Sequence, residues 1–206
     1  MTSIETLFAT TLYRERLSGA GASRLIRELP DATRAIAADD TAGQAWCEAN
    51  GYRGYTSYAS LDDLPWRDPV IADLVTHLDG HVAAFARALD YDLGRDRLVL
   101  DSIWVNILKP GGSHTSHIHP NSAISGTYYV EVPPGAGGLK LEDPRHPFMM
   151  ASPPRRPSAR VGNRSHVVVT PRAGQVRLWE SFVRHEVLAG TATSDRISIS
   201  FNYRMP

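Results

Sequence analysis

The spacing of apolar residues changes period once along this chain, near residue 96. Before it, Ile71, Leu74, Leu78, Val82, Phe85 and Leu89 recur at steps of three and four. That stripe predicts an amphipathic helix over residues 69–89, laid against a sheet. Asp68 suits its N-cap and Pro69 its first helical position. Weaker helical patterns cover residues 21–38, with Ser23 as N-cap, and 41–49, with Thr41 as cap and Gly51 just past the end. Residues 5–13 read as a short strand.

Beyond residue 96 the period is two. LVLDSIWVNIL (98–108) and SAISGTYYVEV (122–132) read as long strands. GGLKLED, HVVVT, VRLWES, HEVLA and RISISFNYR read as shorter ones, separated by glycine- and proline-rich turns. Strands without intervening helices predict a β-sandwich or barrel rather than a parallel sheet. The expected organisation is a single domain, 1–206, with 1–95 a mostly helical flank and 96–206 the β core. The proline-, serine- and arginine-rich run 151–165 predicts an exposed loop. Its Arg155, Arg156, Arg160 and Arg164 read first as a solvated connector and second as contacts for an anionic substrate.

Composition narrows the partners. Lys plus Arg equals Asp plus Glu at 22 each, so the formal charge is zero. That balance offers no electrostatic handle for nucleic acid or an anionic membrane. No window approaches the roughly 18–20 apolar residues of a membrane span. The first residues, interrupted by Glu5 and Arg14, do not read as a signal peptide. The single cysteine, Cys47, excludes an intrachain disulfide and reads as a buried helix residue. These features predict a cytoplasmic protein, and the helical stripes are compatible with a homodimer.

Candidate chemistry lies in the histidines. Three of the eight fall in one hexapeptide, His114-Thr-Ser-His117-Ile-His119. In an extended chain His117 and His119 share a face and offer two metal ligands, whereas His114 points the other way unless a turn intervenes. A third ligand must come from His146, His166 or His185. His185 follows a turn between strands, where an antiparallel sandwich can return a ligand to the first pair, and is preferred. Three ligands on one side of an iron(II) leave positions for a chelating cosubstrate and dioxygen. Arg196 then supplies a guanidinium fork for the remote carboxylate of a 2-oxo acid. Alternation places Arg196, Ser198, Ser200 and Asn202 on a polar face and Ile197, Ile199 and Phe201 on an apolar one.

HIHP (117–120), SGTYYV (125–130) and RISISFN (196–202) resemble the Fe(II)/2-oxoglutarate-dependent dioxygenase superfamily, in particular its small bacterial and phage group. The resemblance covers residues 97–204 well and the helical half loosely. It implies a double-stranded β-helix (a cupin-like jelly roll). It also implies His117, His119 and His185 as iron(II) ligands, with 2-oxoglutarate as cosubstrate held by Arg196, aided by Ser198 and Tyr129. The expected reaction is hydroxylation of a small molecule or protein side chain, with release of succinate and CO2. The sequence departs from the family in two places. His119 stands where a carboxylate ligand is usual, leaving His114 as its competitor, and Leu178-Trp-Glu-Ser181 replaces a Phe-Pro-Ser segment.

Other readings were weighed. His77 and His81 sit at i, i+4, but Leu78 replaces the glutamate of a zinc-protease motif, so packing roles are expected. Only one of Tyr128 and Tyr129 can face the site. Trp104 and Asn106 line the substrate entrance if their face of strand 98–108 points inward. Two alternatives to the main reading are a three-histidine iron oxygenase that uses no 2-oxoglutarate and a non-catalytic metal- or ligand-binding jelly roll.

Overall fold

The computed structural model describes residues 1–206. Its strands are β1 (Tyr13–Arg16), β2 (Gly54–Thr56), β3 (Val99–Leu108), β4 (His114–His117) and β5 (Ile124–Glu131). They continue with β6 (Leu139–Glu142), β7 (His166–Val169), β8 (Gln175–Glu180), β9 (His185–Val187) and β10 (Arg196–Arg204). The helices are α1 (Ala22–Asp39), α2 (Thr41–Ala49), α3 (Leu64–Arg67) and α4 (Pro69–Ala88). Six strands form a larger sheet in the order β1-β8-β5-β10-β3-β2, and four form a smaller one, β4-β9-β6-β7. All pairings are antiparallel. This is the double-stranded β-helix that the sequence predicts.

The larger sheet is two-faced because its strands alternate. On β10, Ile197, Ile199, Phe201 and Tyr203 are fully buried and join Val105, Tyr128 and Leu178 from neighbouring strands. Ile71, Leu74, Leu78, Val82 and Phe85 of α4 enter the same cluster. Burying each such side chain contributes roughly 1.5–3 kcal/mol, so this seam fixes the helices on the sheet's outer face. The α4 stripe is therefore covered by the chain's own sheet and is not free for a second copy. Gly126 lies opposite Phe201 in the β5–β10 ladder, and a Cβ there would stand 2.4 Å from the Phe201 ring. Only glycine lets that ring lie flat over the strand.

The inner face is polar and still buried: Asn106, Thr127, Arg177, Arg196, Ser198 and Asn202 all lie on it. The smaller sheet has a minor apolar cluster, Leu139, Trp179 and Val183, shared with β8 and the turn after it. Its outer face reaches solvent at Val168.

Local differences from expectation have local causes. The strand expected over 5–13 forms only from Tyr13, where β8 provides a partner. Upstream, Ile4, Leu7 and Phe8 are exposed and unpaired. Helix α1 begins after Gly21, in the left-handed region at φ 84°, so Ser23 lies inside the first turn and caps nothing. Asp40, not Thr41, caps α2, its carboxylate accepting from Gly43 N–H at 2.9 Å. The three-residue β2 and four-residue α3 are too short to leave a periodic trace. At α4 the expectation holds: Asp68 accepts from Val70 N–H, and Pro69 opens the helix. Cys47 is buried and accepts from Thr56 N–H. His81 is bonded to Tyr13, a packing role. No helix is long and apolar enough to cross a membrane.

Candidate metal centre

Strands β4 and β9 bring the predicted ligands together. His117 and His185 are direct cross-strand partners, so their side chains share the inner face. His119 lies two residues past the end of β4, held where its N–H donates to Ser181 O at 3.1 Å. The ring centroids of His117 stand 4.3 Å from His185 and 5.0 Å from His119, and one ligand nitrogen from each of the three lies within 4.8 Å of the others. No carboxylate joins this group.

His114 is explained by an irregularity. The β4–β9 register shifts between His114 and His117, so three steps on one strand match two on the other. Such a bulge re-aims a side chain, and His114 turns onto the inner face despite its parity. It is bonded to Tyr52 rather than grouped with the other three rings.

Two rings have their proton fixed by backbone carbonyls. His117 Nδ1 lies 2.6 Å from Thr115 O and His185 Nδ1 lies 2.9 Å from Val183 O. An Nδ1–H donating to each leaves Nε2 with its lone pair for a metal. His119 Nδ1 faces the Asn202 side-chain amide at 3.3 Å. With the amide oxygen toward the ring, Nδ1–H donates to it and Nε2 is free here too. Ser102 and Ser125 hydroxyls contact the same amide and can donate or accept to suit.

Burial first, then the neighbouring cations and imidazoles, keeps these rings uncharged. His185 is pushed down to about 3, by burial and then by the three other histidines, against a raising bond to Val183 O. His119 is lowered to about 4 by burial and then His117. His114 is lowered to about 4 by burial, then Arg196 and His117. Neutral imidazole is the form that binds a transition metal.

The histidines border a cavity of about 470 Å³, open at one end, between the sheets. Arg196, Ser198, Asn106 and Trp104 line it, as the sequence predicts. Tyr129 lies beneath: its ring sits 5.2 Å from the Arg196 guanidinium carbon, and it is fully buried. Four buried polar atoms have no hydrogen-bond partner: Tyr129 Oη, Arg177 Nε, Trp179 Nε1 and Arg196 Nε. Strand parity puts all four side chains on the inner face of the larger sheet. Neither Arg177 nor Arg196 has a carboxylate partner. Buried cations and donors left unpaired are costly, and an anionic ligand with several oxygens would satisfy them. The donor set thus fits a metal on three imidazoles beside a carboxylate-bearing cosubstrate.

Sequence reasoning missed Arg177, Trp179 and Tyr52. The first two carry a signal, because QVRLWE alternates polar and apolar residues as β10 does. Tyr52 follows α2 and reaches His114 only through the fold. His146 and His166, weighed as third ligands, lie instead with Glu142 in a separate group.

Residues 102–202 match a family model described as "Putative 2OG-Fe(II) oxygenase". No curated protein matches the chain by sequence. Among solved structures, a prolyl-4-hydroxylase from Pseudomonas putida is 18% identical, with 96% of this chain and 94% of that one covered at a TM-score of 0.59. The α-ketoglutarate-dependent epimerase SnoN of nogalamycin biosynthesis is 17% identical, covering 95% and 77% at 0.63. HygX from Streptomyces hygroscopicus, solved with nickel and 2-oxoglutarate bound, is 17% identical, covering 95% and 83% at 0.60.

Proposed function

We propose that this chain, whose residues 102–202 belong to the 2OG-Fe(II) oxygenase family, holds iron(II) on His117, His119 and His185 and hydroxylates its substrate. The observation that carries the reading is one cavity bordered by both the three-imidazole cluster and the partnerless buried Arg196. When bound, iron and 2-oxoglutarate supply the oxidation: dioxygen is consumed, succinate and CO2 leave, and a substrate C–H becomes C–OH.

The chain's own residues orient and shield. Thr115 and Val183 carbonyls and the Asn202 amide hold the three rings with Nε2 inward. Arg196 and the Tyr129 hydroxyl receive the remote carboxylate of 2-oxoglutarate, with Ser198 beside them. Asn106 is kept in place by Thr56 and Ser200, its Oδ1 accepting from Thr56 at 2.9 Å and its Nδ2 donating to Ser200 at 3.1 Å. Trp104, packed edge-on against Tyr58 and close to His119, forms an aromatic wall at the mouth. The substrate enters there, as a small molecule or a protein side chain. The free buried Cys47 supports a reducing, cytoplasmic location.

Succinate formation coupled to oxygen uptake, with iron(II) and 2-oxoglutarate supplied, tests this function. Arg196→Lys should raise the KM for 2-oxoglutarate about 10–100-fold, since it loses charge-assisted fork bonds. Metal binding should be unchanged. An unaltered KM sinks the cosubstrate assignment.

The all-imidazole ligand set supports a second reading. There Arg196 binds a carboxylate of the substrate itself and 2-oxoglutarate is not consumed. Oxygen uptake without succinate would select it.

A further inference from the structure

We infer that Glu142, His146 and His166 form a second divalent-cation site, suited to zinc(II), on the outer face of the smaller sheet. Leu141 pairs with His185, whose ring faces the cavity, whereas the next residue, Glu142, pairs with His166. Alternation therefore puts Glu142 and His166 on the opposite face from the three-histidine centre. His146 joins them from a short 3-10 turn, His146–Phe148, just after β6.

The donor atoms already have the spacing a small cation requires. Glu142 carboxylate oxygens lie 3.7 Å from His146 Nδ1 and 3.4 Å from His166 Nε2, and all three donor groups fall within 4.8 Å. Ligand bonds of about 2.0–2.2 Å in a tetrahedron put donors roughly 3.3 Å apart. Two imidazoles and one carboxylate plus water is an ordinary zinc donor set. The backbone holds all three residues in place: Glu142 N–H donates to Arg184 O at 2.9 Å, Asp143 N–H to Ser165 O at 2.8 Å and His146 N–H to Asp143 O at 2.8 Å.

Nearby charges leave the position open to a cation. Lys140 pairs with Glu186, and Arg145 is taken by both oxygens of Asp143. Glu142 thus meets no lysine or arginine, only the two imidazoles.

The location gives the site a structural task. Residues 144–164 leave the barrel between β6 and β7, and their hydrogen bonds all stay within 143–165. A cation on Glu142, His146 and His166 would tie both ends of this arginine-bearing excursion to the sheet.

Metal-free full-length protein would be titrated with zinc(II), and bound zinc counted after desalting. Wild type should hold two equivalents. Glu142→Gln, His146→Ala and His166→Ala should each lose one, while His117→Ala with His185→Ala should lose the other. His146 lies on an exposed turn, so its removal leaves the barrel's folding untouched and keeps the test open. Zinc should also slow tryptic cleavage after Arg155, Arg160 and Arg164 several-fold in wild type and in the His117/His185 double variant, but not in His146→Ala. An equivalent that survives all three variants of the outer group, or wild type whose only zinc is lost with His117 and His185, overturns the site. A single equivalent lost only with the outer group would instead sustain this site and sink the three-histidine centre.

Discussion

The two sheets of the jelly roll divide the work unequally. The larger sheet is backed by α1 and α4 and presents its polar inner face, with Arg196, Ser198 and Tyr129, to the cavity. The smaller sheet is made of three- and four-residue strands and carries the metal ligands His117 and His185. Its apolar cluster has three buried residues against twenty-five in the main core. The stiff, heavily buried sheet thus positions the cosubstrate's anion, and the thin one positions the metal. A thin sheet gains most from a ligand that cross-links it, because binding to the folded state alone adds stability.

The contrast can be broken most severely from the core. Phe201→Ala removes a fully buried ring between β10, Gly126 and the helices, and should cost about 3–5 kcal/mol. Thermal and urea unfolding of the variant would measure it, and a loss near zero would mean the larger sheet is not the stable half.

Asn202 tests how the two sheets communicate, since it sits on β10 and faces His119. Asn202→Ala should weaken metal binding about 10–100-fold, the usual effect of removing a ligand's hydrogen-bond partner. Asn202→Asp, which still accepts from Nδ1–H, should largely restore it. Equal losses in both variants would mean the amide does not orient the ring.

Acid should act on the metal side next. His185 folds with a value near 3, against about 6.5 when unfolded, so the unfolded chain binds its proton first. Its contribution to stability is complete above about pH 6.5 and is lost as pH falls toward 3. Metal-free protein should lose roughly 1 kcal/mol per pH unit from this group below pH 6.5. Melting temperatures from pH 7.5 to 5 would show this, and a flat profile would contradict it. The smallest effect is expected at Val168→Ala, on the exposed outer face of β7, which should stay within about 0.5 kcal/mol of wild type in the same melts.

Much of this architecture is written in residue alternation. A period of two over RISISFN separates core from cavity on β10, and the α4 stripe names the helix face that covers the sheet. Those patterns are local consequences of side chains pointing alternately, or every third to fourth residue, toward one surface. The HIHP, SGTYYV and RISISFN segments likewise made the iron and 2-oxoglutarate chemistry legible before any fold was known. The choice among His146, His166 and His185 was different in kind. It depends on which strand lies beside β4, and only the tertiary pairing of His117 with His185 decides it. The inward turn of His114 rests on a bulge, which parity cannot anticipate. Tyr52, Arg177 and the Glu142–His146–His166 group belong with these, since each depends on residues distant in sequence meeting in space. The sequence by itself determined which side chains share a face; the tertiary structure decided which faces meet, because strand order and register are settled by packing between segments far apart along the chain.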